Sequence, residues 1–192
     1  MAHNNARTVS VFGGSAPTAE TPAYEAARHM GRLLGEAGWR VATGGYEGTM
    51  EAVSRGAAEA GAQVVGVVCE VFERAGLQPN PWVHEVVRLG TLRERLYYLV
   101  RECDAALALS GGIGTLSEVA FAWSMLQAGE IPPKPLVLVG PEWNRSLLAF
   151  LESHAGMVRP RDLELLTLCP TAQDAAQELA RRIGPSSISS AL

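Results

Sequence analysis

The sequence predicts an α/β protein with a doubly wound, mainly parallel sheet of the Rossmann-like type and helices on both faces. Short apolar runs alternate along the chain with segments in which apolar residues recur at helical spacing. This alternation favours parallel strands joined by right-handed crossover helices. Three of the apolar runs end in glycine-rich turns, at Gly13, Gly44 and Gly111, and a helical segment follows each turn. The pattern is therefore one of repeated strand–turn–helix units.

The predicted elements follow one another in nearly strict alternation. Short apolar runs predict strands at residues 8–12, 39–42, 63–68, 82–88, 105–109, 136–139 and 164–168. Helical spacing predicts helices at residues 22–37, 49–60, 92–102, 115–128, 143–153 and 171–183. The first helix has a clear start, because Thr21 suits an N-cap and Pro22 suits the first helical position. Residues 70–81 show no regular pattern and are predicted to form a loop over the site.

Length and charge restrict the class of protein. The chain has 192 residues, which suits a leader at residues 1–7, one domain at residues 8–184 and a tail at residues 185–192. Its net charge of −4, without a basic block, argues against nucleic acid as a partner. The sequence lacks a signal-peptide pattern and a run of membrane-spanning length, so we expect a cytoplasmic protein without membrane contact.

The cysteines and histidines give no sign of a metal site. Cys69, Cys103 and Cys169 are far apart in apolar contexts, and the four histidines do not cluster in the sequence. Neither a bound metal nor a disulfide framework is expected. We interpret the cysteines as small buried apolar residues of a protein in a reducing compartment, and we expect no cofactor.

The stretch from Leu107 to Glu118 is the most informative part of the sequence. An apolar strand ends there in a turn and helix start, which consist of Ser110, Gly111, Gly112, Ile113, Gly114 and Thr115. Such a junction directs backbone N–H groups and the positive end of a helix dipole at one point, where a phosphate fits. The spacing is neither that of a Walker A loop nor the dinucleotide Gly-x-Gly-x-x-Gly pattern. The structural alternative is a tight corner without a ligand.

The three glycine turns are expected to meet. Because the carboxyl ends of parallel strands lie at one edge of a sheet, the turns at Gly13, Gly44–Gly45 and Gly111 converge there. Their convergence favours a nucleotide or sugar-phosphate site over an ordinary set of corners.

Charged residues near these turns are candidates for chemistry. Glu118 lies about one helical turn inside the glycine-rich segment, where a carboxylate suggests chemistry on a group attached to the phosphate. Arg93 and Arg95 begin the helix that precedes the central strand, and one of the two is expected to be functional. For all three, the alternative is a solvated helix face.

Three further residues have weaker support. Tyr46 is a candidate for stacking on a base, although tyrosines are common in turns. Glu47 and Glu51 flank Gly48, and an acid in the first turn of a helix also compensates the helix dipole.

Several motifs together resemble a known family. Residues 110–118, Ser-Gly-Gly-Ile-Gly-Thr-Leu-Ser-Glu, resemble the Pro-Gly-Gly-x-Gly-Thr-x-x-Glu signature of the LOG family, once mislabelled lysine decarboxylases. The resemblance extends from Val9 to about Leu168 and includes the Gly44-Gly45-x-x-Gly48-x-Met50 turn and the Glu94-Arg95 pair. Ser110 replaces the signature proline, and Leu96 replaces the lysine that usually follows the Glu-Arg pair.

The resemblance implies a specific activity. Family members studied as enzymes are nucleoside 5′-monophosphate phosphoribohydrolases, which act on cytokinin nucleotides and often on AMP. Carried over by motif, the catalytic pair is Arg95 and Glu118, and the phosphate loop is Gly111, Gly112, Gly114 and Thr115. Gly14 and Ser15 are then expected beside the nucleotide. The family also forms homodimers or larger assemblies in which a neighbouring subunit helps to complete the site.

Two other activities fit the sequence to different extents. Related branches of the family include molybdenum cofactor carriers, and the stretch Gly48-Thr49-Met50-Glu51-Ala52 resembles theirs, so a carrier or sensor that binds without hydrolysis stays open. An amino-acid decarboxylase is disfavoured, because Lys134 is the only lysine and its surroundings do not suit a Schiff base.

Overall fold

The computed structural model describes residues 7–184. The strands are β1 (Thr8–Phe12), β2 (Arg40–Thr43), β3 (Val64–Cys69), β4 (Glu85–Leu89), β5 (Ala105–Ala108), β6 (Leu136–Val139) and β7 (Leu166–Cys169). The helices are α1 (Pro22–Glu36), α2 (Thr49–Glu59), α3 (Glu70–Arg74), α4 (Leu92–Arg101), α5 (Ile113–Ala128), α6 (Pro141–Ser153), α7 (Pro160–Leu163) and α8 (Ala172–Ile183).

The strands form one seven-stranded sheet in the order β4-β3-β2-β1-β5-β6-β7. Every neighbouring pair in this sheet is parallel, with Val9 opposite Val41 on one side and Ala105 on the other. The chain winds outward from β1 to β4 and then returns to β5, so the winding direction reverses between β1 and β5. The predicted fold class is confirmed, and the reversal is where such sheets bind ligands.

Two apolar layers cover the sheet. On one face α1, α2 and α8 bury residues such as Met30, Val53 and Leu179 against the strands. On the other face α4 and α5 bury Leu99 and Met125 among others. The central strands are almost entirely buried, which explains why their sequences are continuous apolar runs rather than alternating ones. The rigid core thus fixes the carboxyl ends of four adjacent strands, β3, β2, β1 and β5.

Several predicted boundaries differ from the structure. Residues 70–81 were predicted to be irregular, but α3 occupies Glu70–Arg74, where an ion pair joins Arg74 to Glu70 one turn away. α5 begins at Ile113 rather than at residue 115, and β4 at Glu85 rather than at residue 82. The last strand also begins late, since α7 and the turn after it occupy the preceding residues.

The two ends of α4 differ in their surroundings. Leu92, the first residue of the helix, is 50% exposed. Lys134 lies at the opposite end of α4, where its Nζ donates to the carbonyl oxygens of Val100, Arg101 and Cys103 at 3.2, 2.8 and 2.5 Å. The lysine therefore caps a helix C-terminus.

Other expectations meet mixed outcomes. Cys69, Cys103 and Cys169 are all buried with free thiols. Of the predicted leader, Arg7 is described and pairs with Asp104 at 3.1 Å, while residues 1–6 and the predicted tail at 185–192 lie outside the described residues. Over residues 7–184, no helix combines the length and the apolar character that crossing a membrane requires.

Candidate active site

A cleft of about 580 Å³ lies at the carboxyl edge of the sheet, across the point where the winding reverses. Its volume is in the range of small-molecule sites. The turns after β1, β2 and β5 and the segment after β3 all contribute to it. Its lining consists of Gly13, Gly14, Ser15, Tyr46, Glu47, Met50, Phe72, Ala75, Gly76, Leu77, Arg95, Gly112, Ile113, Gly114, Thr115 and Glu118.

The N-terminus of α5 opens into this cleft. Its N-cap is Gly112, which has no side chain to cap the helix, and the first turn contains no acidic residue. The first intrahelical bond at this end is that from Leu116 N to Gly112 O at 3.0 Å. The N–H groups of Ile113, Gly114 and Thr115 precede it and have no partner within the helix. With the helix dipole behind them, they form an anion-binding end.

The glycine turns pack so closely that side chains would separate them. A Cβ on Gly14 would lie 3.1 Å from the Cα of Gly111, and one on Gly111 would lie 2.8 Å from the backbone nitrogen of Gly14. Gly14 N donates to Ser110 O at 3.2 Å, and Thr49 N donates to Gly14 O at 2.9 Å. Three turns that are far apart in the sequence are thereby joined into one rim.

Arg95 is fixed beneath the rim. It is 6% exposed, and its Nε donates to the carbonyl oxygen of Val67 at 2.7 Å while Nη2 donates to that of Gly44 at 3.0 Å. A Cβ on Gly44 would lie 1.9 Å from Nη2, so a glycine is required there. The guanidinium also lies 5.7 Å from the ring centroids of Tyr46 and Phe72. Its Nη1 is left to face Glu118.

Glu118 and Arg95 meet at the floor of the cleft. Oε1 of Glu118 lies 3.9 Å from Nη1 of Arg95, and the two side chains are only 13% and 8% exposed. Burial raises the pKa of the Glu118 carboxyl from 4.5 to about 7, although the Arg95 charge opposes this. Burial also lowers the pKa of Arg95, but a guanidinium stays protonated in proteins. The carboxyl thus changes its charge near neutral pH, as acid–base and charge-stabilising groups often do.

The structure brings most of the predicted site residues together. Those that line the cleft are Gly14, Ser15, Arg95, Gly112, Ile113, Gly114, Thr115 and Glu118. Those that do not line it are Gly44, Gly45, Ser110 and Gly111. Gly44 and Gly45 are buried behind the wall, and Ser110 is exposed beside a neighbouring cavity.

The remaining candidates divide in the same way. Arg93 is exposed and outside the cleft lining, so of the two arginines only Arg95 reaches the site. Glu51 accepts a hydrogen bond from the hydroxyl of Tyr24 at 3.2 Å, whereas Glu47 lines the cleft.

Sequence reasoning missed how the far wall of the cleft is anchored. The Tyr46 hydroxyl accepts from Cys69 N at 2.9 Å and donates to Cys69 O at 3.2 Å. The ring is 2% exposed and meets Phe72 edge to face, so it supports the wall, in line with the alternative to base stacking. The buried amide of Asn80 donates to the carbonyl oxygens of Gly45 and Tyr46. The available signal was the apolar Phe72 and Leu77 within a polar segment.

No group of three or more histidine, cysteine, aspartate or glutamate side chains suitable for a metal ion occurs among residues 7–184. The seven-stranded parallel sheet defines a Rossmann-like protein, and the cleft at its reversal combines an uncapped helix end, a buried arginine and a largely buried carboxylate.

Comparisons with known proteins identify the family. The SLOG cluster4 family matches residues 6–155. A protein of Oryza sativa subsp. japonica named probable cytokinin riboside 5′-monophosphate phosphoribohydrolase is 34% identical, covering 93% of this chain and 74% of its own. The cytokinin riboside 5′-monophosphate phosphoribohydrolase of Mycobacterium tuberculosis is 30% identical, covering 90% and 93%. The chain therefore belongs to the LOG family and matches the SLOG cluster4 family over most of its length.

Solved structures agree on the fold. The molybdenum cofactor carrier protein of Chlamydomonas reinhardtii has a TM-score of 0.68 at 26% identity, covering 93% of this chain and 98% of its own. The molybdenum cofactor binding protein of Rippkaea orientalis has a TM-score of 0.72 at 23% identity, covering 92% and 96%. The chain is thus similar to relatives named as phosphoribohydrolases and shares its fold with proteins named as molybdenum cofactor carrier or binding proteins.

Proposed function

We propose that this protein is a nucleoside 5′-monophosphate phosphoribohydrolase. It hydrolyses the N-glycosidic bond of AMP, or of an N6-substituted AMP such as a cytokinin nucleotide, and releases the free base and ribose 5-phosphate. The single observation that supports this best is the buried Glu118–Arg95 pair in the same cleft as the open N-terminus of α5. A site for phosphate binding alone has no need of a buried carboxylate beside the anion.

The roles of the residues follow from their chemistry. The N–H groups of residues 113–115 bind the 5′-phosphate, and Gly14 and Ser15 lie beside it. As the bond from C1′ to the base nitrogen breaks, its electron pair leaves with the base and the ribose becomes oxocarbenium-like. The Glu118 carboxylate stabilises this cation, through the ribose hydroxyls or by orienting the water whose oxygen bonds to C1′. That water loses one proton, and the nitrogen of the departing base gains one. Arg95 stabilises the charge on the departing base or holds the substrate.

The pH dependence follows from the ionised form of Glu118. Since its carboxyl has a pKa of about 7, the fraction of carboxylate rises as the pH passes through neutrality. We expect kcat for base release to increase from pH 6 to pH 8. A flat profile over this range would contradict the assigned role.

The alternative is a carrier that binds a nucleotide-like cofactor without cleaving it. The observation that favours it is the similarity to the molybdenum cofactor carrier protein of Chlamydomonas reinhardtii. The same cleft and the same anion-binding helix end would serve both functions, so turnover is what separates them.

The test is to incubate the purified protein with AMP and with an N6-prenylated AMP and to measure free base and ribose 5-phosphate. Glu118→Gln keeps the shape of the side chain but not its charge, and we expect release to fall roughly 100-fold or more. Near-normal release by this variant would disprove the role of Glu118. Tight binding without release by the wild-type protein would establish the carrier instead.

The proposal extends to assembly and location. We propose a homodimer that acts in the cytoplasm without nucleic-acid or membrane partners. An apolar cavity of about 310 Å³ supports the dimer. Leu116 and Trp123 of α5 and Phe150 of α6 line it, and Leu116 is 53% exposed, so this surface suits contact with another subunit. Sedimentation of the purified protein tests the assembly.

A further inference from the structure

We infer that Glu47 selects the base of the nucleotide, by accepting a hydrogen bond from N6–H of adenine. This inference rests on the proposed function, since it assumes a phosphate at the N-terminus of α5 and a ribose near Glu118. It goes further by assigning a residue and a chemical rule to the part of the substrate that leaves.

The order of the strands places Glu47 at the right distance from the phosphate end. Along the edge of the sheet, the turns after β5, β1 and β2 follow one another, and the segment after β3 comes next. Adjacent strands are about 4.8 Å apart, so the turn after β2 lies about 10 Å from the N-terminus of α5. A nucleotide with its phosphate at α5 therefore extends its base towards Glu47 and the wall formed by Phe72 and Leu77.

Glu47 is exposed in a turn that is otherwise buried. Residues 43–46 and 48–49 are buried, while Glu47 is exposed and lines the cleft. Within residues 7–184 no arginine, lysine or histidine lies close enough to form an ion pair with it. Its carboxylate thus has no structural partner to satisfy.

The other side chains of this wall have no free hydrogen-bonding group with which to distinguish one base from another. The Tyr46 hydroxyl is committed to the backbone of Cys69, and Met50 lies against Arg95 with Sδ 3.9 Å from Nη2. Phe72, Ala75 and Leu77 are apolar. Among the side chains of this wall, the carboxylate of Glu47 is therefore the polar group left to distinguish one base from another.

An ionised carboxylate only accepts hydrogen bonds, so it should favour bases that present an N–H donor at this position. Adenine presents N6–H donors, and an adenine with one N6 substituent keeps one of them. N6,N6-dimethyladenine has none, and hypoxanthine presents the O6 acceptor in their place. A site built to pair with a donor rejects an analogue that leaves its polar group unpaired.

The test compares AMP and N6-methyl-AMP with N6,N6-dimethyl-AMP and IMP, as kcat/KM for base release and as Kd by calorimetry. We expect the wild-type protein to favour the first pair roughly 10- to 100-fold, as for a hydrogen bond to a charged group. Glu47→Ala should reduce this preference to about threefold or less. Glu47→Gln should improve the use of IMP, because its amide can donate to O6. Such a gain does not arise from misfolding.

The matched control is Glu51→Gln, which removes the same charge four residues away on a side chain that contacts Tyr24 rather than the cleft. It should keep the wild-type preference. Hydrolysis with an unchanged preference in Glu47→Ala, or a wild-type preference for GMP over AMP, would overturn the inference and leave the proposed function standing. Selective binding without hydrolysis would support Glu47 and overturn the proposed function, and neither binding nor hydrolysis would overturn both.

Discussion

The N-termini of α4 and α5 lie near one edge of the sheet and are built in opposite ways. At α4, Thr91 Oγ1 accepts from Glu94 N at 3.2 Å, and the Glu94 carboxylate accepts from Thr91 N at 2.9 Å. This capping box satisfies the exposed N–H groups from within the chain. At α5, Gly112 supplies no cap and the first turn contains no acid.

The difference indicates that the N-terminus of α4 is built for stability and that of α5 for binding, although both helices lie in one layer. Both helices carry a residue of the buried pair, Arg95 on α4 and Glu118 on α5. The role of α4 is only to hold Arg95 in place, so its N-terminus can be capped by its own side chains. The N-terminus of α5 lacks the stabilisation of a side-chain cap. We attribute this to binding of an anion at the place that a capping side chain would occupy.

The largest effect is expected from adding a side-chain cap to the N-terminus of α5. Gly112 has φ −97° and ψ −150°, which other residues adopt, and a Cβ there would meet nothing within 4 Å. In Gly112→Asp the new carboxylate caps the helix and its charge complements the helix dipole, so the free energy of unfolding should rise by roughly 0.5 kcal/mol. The same charge occupies the anion site, and AMP should bind roughly 100-fold more weakly or worse. Urea unfolding and calorimetry measure the two effects.

Gly112→Ala serves as the control, because it adds a Cβ without a cap and should change AMP binding far less. Unchanged affinity in Gly112→Asp would show that the open end of α5 is not where the phosphate binds.

The next effect concerns the stability cost of the buried carboxylate on α5. Folding raises the Glu118 pKa from 4.5 to about 7, so its contribution to stability is complete below pH 4.5 and is lost as the pH rises through 7. Glu118→Gln should therefore be more stable than the wild type at pH 8, by on the order of 3 kcal/mol. At pH 5 the difference should shrink to under about 1 kcal/mol. Urea unfolding at both pH values measures it.

Glu20→Gln is the control for this comparison, since Glu20 is an exposed carboxylate outside the cleft. A Glu118→Gln variant whose stability advantage did not grow with pH would show that burial does not perturb this carboxyl.

The smallest effect is expected from removing the side-chain cap at the N-terminus of α4. Thr91→Ala removes one half of the capping box and should lower the free energy of unfolding by about 1 kcal/mol. Because Arg95 is held by the carbonyl oxygens of Val67 and Gly44, AMP affinity should stay within about twofold of the wild type. A tenfold loss of affinity would instead show that the cap of α4 positions the arginine.

Much of the fold could be predicted because its signals are local. Apolar runs that end in glycine turns identify strands buried on both faces, and their alternation with helices gives the parallel sheet. The glycine turns also predicted the edge at which the cleft lies. The short helix α3 was missed because its five residues carry too little periodicity to detect.

The details of the site depend on contacts between distant residues, which the sequence does not display. Arg95 is fixed by carbonyl oxygens 28 and 51 residues away in the chain, so nothing in the sequence indicated that Gly44 supports the arginine. Tyr46 was one candidate for stacking on a base, with an ordinary turn tyrosine as the alternative, and the structure shows its hydroxyl bonded to Cys69, 23 residues away. The catalytic roles of Arg95 and Glu118 stay predictions, although the structure brings the two side chains to 3.9 Å.

The pairing of β1 with β5 has a consequence for how the protein folds. Val9 lies opposite Ala105, so almost 100 residues are synthesised between the two partners. β1 to β4 and their helices can associate as soon as they emerge from the ribosome, but the cleft does not exist until β5 docks and Gly14 meets Ser110. A ligand that needs both turns therefore binds only after this late step. We expect nucleotide to slow unfolding and to leave the early phase of folding unchanged.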